Sequence, residues 1–164
     1  MTTKKAFKII YSGLLAGFIS EAILGALFMS PPVQSVLNNP DWQSELFIEI
    51  TPTRDLVKSV VGLTILSIAH SWLYDILKPS IPGDNWIRKG FFWGFTIWLM
   101  YWVFQEWFIY HTLLEEPILL NFLELILLFI GSVAEGLIIA KLLESKEWGH
   151  YKPIGTKKEK TGKA

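Results

Sequence analysis

Four glutamates and one histidine lie inside long apolar runs of this chain: Glu21, His70, Glu106, Glu124 and Glu135. Away from water, such a group must be neutralised by proton transfer, pair with an opposite charge, or hold an ion. Carboxylates and an imidazole in that setting are therefore candidates to bind a proton, a cation or a small polar ligand.

The runs themselves set the placement of these groups. Ile9 to Met29, Leu56 to Leu77, Gly90 to Tyr110 and Ile118 to Ala140 are each 21 to 23 residues long. About 20 helical residues are enough to cross ~30 Å of hydrocarbon. The sequence thus predicts an all-α integral membrane protein, a four-transmembrane-helix up-down bundle over residues 1–144 with a basic, flexible tail over 145–164. Composition agrees, since a chain that is 51% hydrophobic, only 18% charged and carries eight Trp holds more apolar surface than a soluble core of this size can bury. The expected partner is the lipid bilayer, with a second copy or another membrane protein as a further possibility.

Charge gives the orientation. All but Arg54 and Lys58 of the fifteen Lys and Arg residues precede the first run, separate the second from the third, or follow the fourth. By the positive-inside rule both termini are cytoplasmic, and the expected location is a cell membrane of the bacterial inner-membrane kind. Zero net charge offers nothing to recruit nucleic acid. The first run is too long for the apolar region of a signal peptide and is read as a retained span. With no cysteine in the chain, thiol chemistry, disulfides and cysteine-ligated metals are excluded.

With each run centred in the bilayer and a rise of ~1.5 Å per residue, Glu21, Glu124 and Glu106 lie about 3, 7 and 9 Å outward of the middle. Three carboxylates in one low-dielectric half cannot all stay ionised without a counter-ion, so at least one is expected to hold a proton or a cation. On the same rise His70 and Glu135 lie about 5 and 9 Å toward the cytoplasm, near enough in depth to pair. Glu124 and Glu135 share one face of the fourth helix with Asn121, Leu128 and Gly131, while Ser59, Ser67, His70 and Tyr74 share a face of the second.

Helix contacts have their own signals. Gly13, Gly17 and Gly25 recur with Glu21 at every fourth position of the first helix, Gly136 lies between Ser132 and Ala140 in the fourth, and the third opens Gly90-x-x-x-Gly94. Small residues at this spacing let backbones approach closely in lipid. The third run is aromatic on every side, and its central Trp98, Tyr101 and Trp102 are candidates for a wall that stacks a flat ligand such as a quinone or carotenoid. Between the runs, Pro31-Pro32 is expected to stop the first helix, a short amphipathic helix is expected over Asp41 to Ile50, and the turn from Pro79 to Asn85 is expected to make the second and third helices antiparallel neighbours.

Sharper chemistries fail on spacing. His70 and His111 differ by about 21 Å in depth and cannot share one haem. Glu147-Trp-Gly-His150 stands alone in the tail and makes no di-iron site, which needs two such motifs on facing helices. His111 and Glu115 at i, i+4 are better explained by interfacial solvation than by a metal. No motif for a nucleophilic hydrolase, a zinc protease, a phosphate loop or a dinucleotide fold is present. No resident cofactor or catalytic residue is read. The expected function is a bundle that binds or transports protons, a cation or a small ligand; an accessory helix-packing subunit and a quinone- or pigment-binding redox protein are the alternatives.

Overall fold

The structure is a computed structural model that describes residues 2–42, 44–46 and 56–145. Among these residues every regular element is helical: α1 (Thr3–Phe28), α2 (Pro31–Leu37), a 3₁₀ turn (Pro40–Trp42), α3 (Leu56–Leu77), α4 (Trp86–Ile97) and α5 (Ile118–Glu144). The helix of α4 does not end at Ile97 but runs on to Leu113, with π-helical turns at Trp98–Trp102 and Gln105–Leu113. Three helices, α1, α3 and α5, are long and apolar enough to cross a membrane. Their outward surface is greasy, with Phe18 77% and Met100 of the α4 extension 73% exposed, as expected where lipid rather than water is the neighbour.

The helices form a row, α3 on α1, α1 on α5, and α5 on α4, with α1 and α5 in the middle. Each contact is antiparallel and each is made by a small-residue face. A Cβ on Gly13 would lie 2.6 Å from the Ile68 Cα, and one on Gly17 would lie 2.6 Å from the Ser67 Oγ, so α1 and α3 touch backbone to backbone. A Cβ on Gly94 would strike the Ser132 carbonyl oxygen, and one on Gly136 would strike the Gly90 carbonyl. On the remaining face of α5, the space that a Gly131 side chain would need is filled by Leu24 of α1.

Three expectations change here. The second and third helices, α3 and α4, are not packed side by side: their glycine and serine faces turn to α1 and α5, and only the ends joined by the 78–85 turn meet, where Tyr74 and Trp93 pack edge to face with centroids 5.9 Å apart. Gly25 belongs to the sequence stripe but not to the contact, because a Cβ there meets nothing within 4 Å. Pro31 and Pro32 open α2 rather than stop α1, which ends at Phe28; Gln34 folds back and donates to the Phe28 carbonyl at 2.8 Å, satisfying a helix-end acceptor. Of the amphipathic helix expected over Asp41 to Ile50, the described part is the end of the 3₁₀ turn and Ser44–Leu46; Gln43 and residues 47–50 lie outside the described residues, as does the tail from 146.

One end of the row is tied by ions. Asp75 accepts from Lys5 at 2.7 Å and from Lys78 at 2.8 Å, while Glu144 meets Lys89 at 3.1 Å and accepts from the Tyr74 hydroxyl at 2.8 Å. Lys8 Nζ donates to the Leu143 carbonyl at 3.0 Å, placing a cation on the negative end of the α5 dipole. This is the basic end; the opposite end carries Glu116.

The glycine contacts yield a graded test. An alanine gains up to about 1 kcal/mol over glycine in helix propensity, but forcing atoms into a closed contact costs about 1–3 kcal/mol. Gly94→Ala and Gly136→Ala should lower the melting temperature of the detergent-solubilised protein, and Gly25→Ala should leave it equal or higher. Equal behaviour of all three variants would show that these contacts do not hold the row together.

Candidate functional site

The sequence-identified groups are gathered into two clusters. The first lies where all four helices converge on a small pocket whose lining mixes Ser20 and Glu21 of α1, Ser67 and His70 of α3, Trp102 of the α4 extension, and Ser132 and Glu135 of α5 with the alkyl groups of Leu24, Leu63 and Leu66. It has room for roughly one water molecule. His70 Nδ1 lies 3.0 Å from Glu135 Oε1, and both side chains are largely buried. This hydrogen bond fixes the orientation of the imidazole and leaves Nε2 as its second polar atom. Ser20 donates its hydroxyl proton to the Gly17 carbonyl at 3.0 Å rather than to Glu21. Ser132, almost wholly buried on the pocket wall, has a hydroxyl with no hydrogen-bond partner among the described residues. A buried hydroxyl is seldom left without a partner, and the adjoining space is the size of the water that would supply one.

The second cluster lies near the Glu116 end. One carboxylate oxygen from each of Glu106, Glu116 and Glu124 falls within 4.8 Å of the other two. Asn121, 1% exposed, donates through Nδ2 to the Glu106 main-chain carbonyl at 2.8 Å and to Glu116 Oε2 at 3.3 Å. His111 Nδ1 lies 2.7 Å from the Glu116 carbonyl. Carboxylates gathered this closely in a buried site cannot all remain ionised unless a proton or a cation lies among them. Glu116 stands in the connection before α5, and its carboxyl is pushed up to about 7 by burial first and by the nearby Glu124 charge second; the Asn121 hydrogen bond and His111 act the other way.

The π-helix explains how Glu106 reaches this cluster. Gly90, Trp93, Gly94 and Ile97 form the buried face of α4. At ~100° per residue an unbroken α-helix would carry Glu106 about 160° round from Gly90, onto the outer side, and bring Phe108 to the contact instead. The wider i→i+5 turns remove that drift, and Trp98, Trp102, Glu106 and Tyr110 stay on the α5 side while Phe104 and Phe108 are exposed. At the far end Glu115 adopts φ 56°, a conformation uncommon outside glycine, and the Glu116 amide closes onto the Tyr110 carbonyl at 3.0 Å. That reversal turns Glu116 inward and leaves Glu115 outside, so His111 and Glu115 do not converge on a common site.

The three carboxylates grouped by sequence depth, Glu21, Glu106 and Glu124, are thus divided. Glu106 and Glu124 meet, whereas Glu21 joins His70 and Glu135. Glu116 was missed because it lies outside every apolar run. A signal for the re-registered helix was present in the stripe Gly90, Gly94, Trp98, Trp102, Glu106 and Tyr110, a strict four-residue spacing that an α-helix cannot keep on one face. The aromatic candidates do not form one wall. Trp98 donates its indole N–H to the Leu125 carbonyl at 2.9 Å and packs edge-on against Phe129; Trp102 lines the pocket; Tyr101 sits on the exposed side against Trp102.

Glu116 gives a pH test. Its folded-state affinity for the proton exceeds that of the unfolded chain, so its contribution to stability is full below about pH 4.5 and is lost as pH rises to about 7. The difference in unfolding free energy between wild type and Glu116→Gln should therefore change through that window by no more than about 3 kcal/mol, wild type weakening as pH rises. A difference that is flat from pH 4 to 8 in thermal melts would place Glu116 in water. Compared with known proteins, the chain matches no family model, no curated protein and no solved structure.

Proposed function

We propose that this is a four-span protein of a cell membrane, with both termini on the cytoplasmic side, that binds and passes protons through the pocket formed by Glu21, His70 and Glu135. The fourth span is the α/π helix from Trp86 to Leu113, which is helical without a break and long enough at ~1.5 Å per residue to cross hydrocarbon. The basic end described above takes the cytoplasmic side, in keeping with the bias of Lys and Arg toward that face.

The observation that carries the reading is the hydrogen-bonded His70–Glu135 pair in a pocket to which all four helices contribute. A purely structural core would close such a site with alkyl groups, since removing charge from water costs several kcal/mol per ion unless the group is paired. Here a carboxylate, an imidazole and a second carboxylate lie together beside space for roughly one water. The second cluster then stands as a proton-exchanging mouth at the opposite end of the bundle. Glu124 and Glu135, eleven residues apart on α5, span about 16 Å between the two.

Purified protein in liposomes, with an imposed pH gradient and a trapped indicator dye, tests this directly. Wild type is expected to dissipate the gradient well above the protein-free leak, and Glu135→Gln and His70→Gln should slow it to near that leak while keeping the wild-type melting temperature within a few degrees. Equal rates for wild type and both variants would remove the proton role and leave a helix-packing subunit as the better account.

A further inference from the structure

We propose that Glu106, Glu116, Glu124 and Asn121 form a binding site for a hard divalent cation of calcium's size, separate from the His70–Glu135 pocket. An acidic cluster alone would not carry this. Two buried oxygens add to it: Glu106 Oε2, on a side chain that is 3% exposed, and Asn121 Oδ1 have no hydrogen-bond partner among the described residues. The Asn121 carboxamide is held in the cluster by its own Nδ2 contacts to the Glu106 carbonyl and Glu116 Oε2. Its free oxygen is covalently fixed close to those contacts. Buried oxygens without donors, in the wall of a carboxylate cluster, are what a cation would satisfy.

Donor type and size narrow the ion. Every available donor is oxygen, three carboxylates and an amide, a set suited to calcium, magnesium or manganese rather than to softer metals. The carboxylate oxygens lie within 4.8 Å of one another. That bound admits calcium, whose flexible, about 6–8-coordinate geometry accepts carboxylates arriving from separate segments, whereas magnesium demands a near-ideal octahedron and keeps most of its water. The surrounding titratable groups are His111, beside Glu116, and the Tyr110 phenol, within electrostatic reach of all three carboxyls. Neither supplies a fixed positive charge.

The charge balance is explicit. Three carboxyls this close cannot all be ionised without an ion among them, so the ion-free cluster holds at least one proton, which leaves to water as calcium enters. Binding should therefore release protons and strengthen as pH rises.

The test uses the full chain purified in detergent and stripped with chelator. At pH 7.5 millimolar calcium should raise the melting temperature by several degrees through preferential binding to the folded state and release protons into a weakly buffered solution, with magnesium less effective. Glu124→Gln and Asn121→Ala should weaken calcium binding by at least roughly tenfold. Glu116→Gln removes a repelling charge, so it should raise the calcium-free melting temperature and lose most of the calcium response. That variant stays informative even if another fails to fold. Glu135→Gln, in the other pocket, should keep the full calcium response, so failure of the proton pathway and failure of the cation site give different results. No calcium-dependent shift or proton release in wild type, or a response unchanged in Glu116→Gln, would overturn the site and leave the cluster holding protons only.

Discussion

The structure depends on the closeness with which α5 meets its neighbours. Between apolar helices in lipid there is no water to expel, so association rests on packing and on polar contacts. The Gly94 to Ser132 and Gly136 to Gly90 contacts bring α4 and α5 to backbone contact. Gly131 accepts Leu24 on the other side, and Gly13 brings α1 against α3. With larger residues at these points the polar side chains farther along each helix would stand too far apart to pair. His70 reaches Glu135 at 3.0 Å because α1, α3 and α5 are drawn together below and beside it.

A second constraint acts through the α4 extension. The same helix must present glycines to α5 near the basic end and a glutamate to α5 near the other end, and no single α-helical face contains both. The π turns from Trp98 onward supply the missing rotation. They loosen the hydrogen-bond ladder of that segment relative to an α-helix. The Trp98 indole bond to the Leu125 carbonyl and the Asn121 bond to the Glu106 carbonyl tie the rewound segment across to α5. A local departure from regular geometry thus coincides with the group of greatest chemical interest, a coincidence common for π-helical turns at functional positions.

The apolar helices of this arrangement were legible in the sequence because length and hydropathy are properties of the chain itself. So was the common depth of His70 and Glu135, which follows from counting residues along helices that run the expected way. Rotation was not legible. Depth placed Glu21 with Glu106 and Glu124, but which side of a helix a residue occupies depends on the local turn, and the π segment moved Glu106 by nearly half a revolution from its α-helical position. Gly25 shows the converse error, since a periodic stripe on α1 does not reveal where the neighbouring helix diverges. Glu116 was hidden because the argument weighed residues inside apolar runs, whereas its burial comes from the left-handed turn at Glu115. The row order, with α3 and α4 apart despite their short connection, depends on which small-residue faces fit one another, and many such pairings fit a pattern of glycines equally well.

Proton exchange at a buried, hydrogen-bonded imidazole is the claim on which the functional account stands. Nitrogen-15 resonance spectra of histidine-labelled protein in lipid bilayers address it directly, with His70→Gln identifying the resonance of that ring. The account predicts that the His70 Nδ1 signal is that of a hydrogen-bonded nitrogen, that it moves in Glu135→Gln while the His111 signal does not, and that its proton exchanges with deuterated solvent in the folded protein. A His70 signal unchanged by Glu135→Gln, or a ring proton that stays unexchanged, would mean that the pair is a sealed structural contact, and the proton-passing role would be wrong.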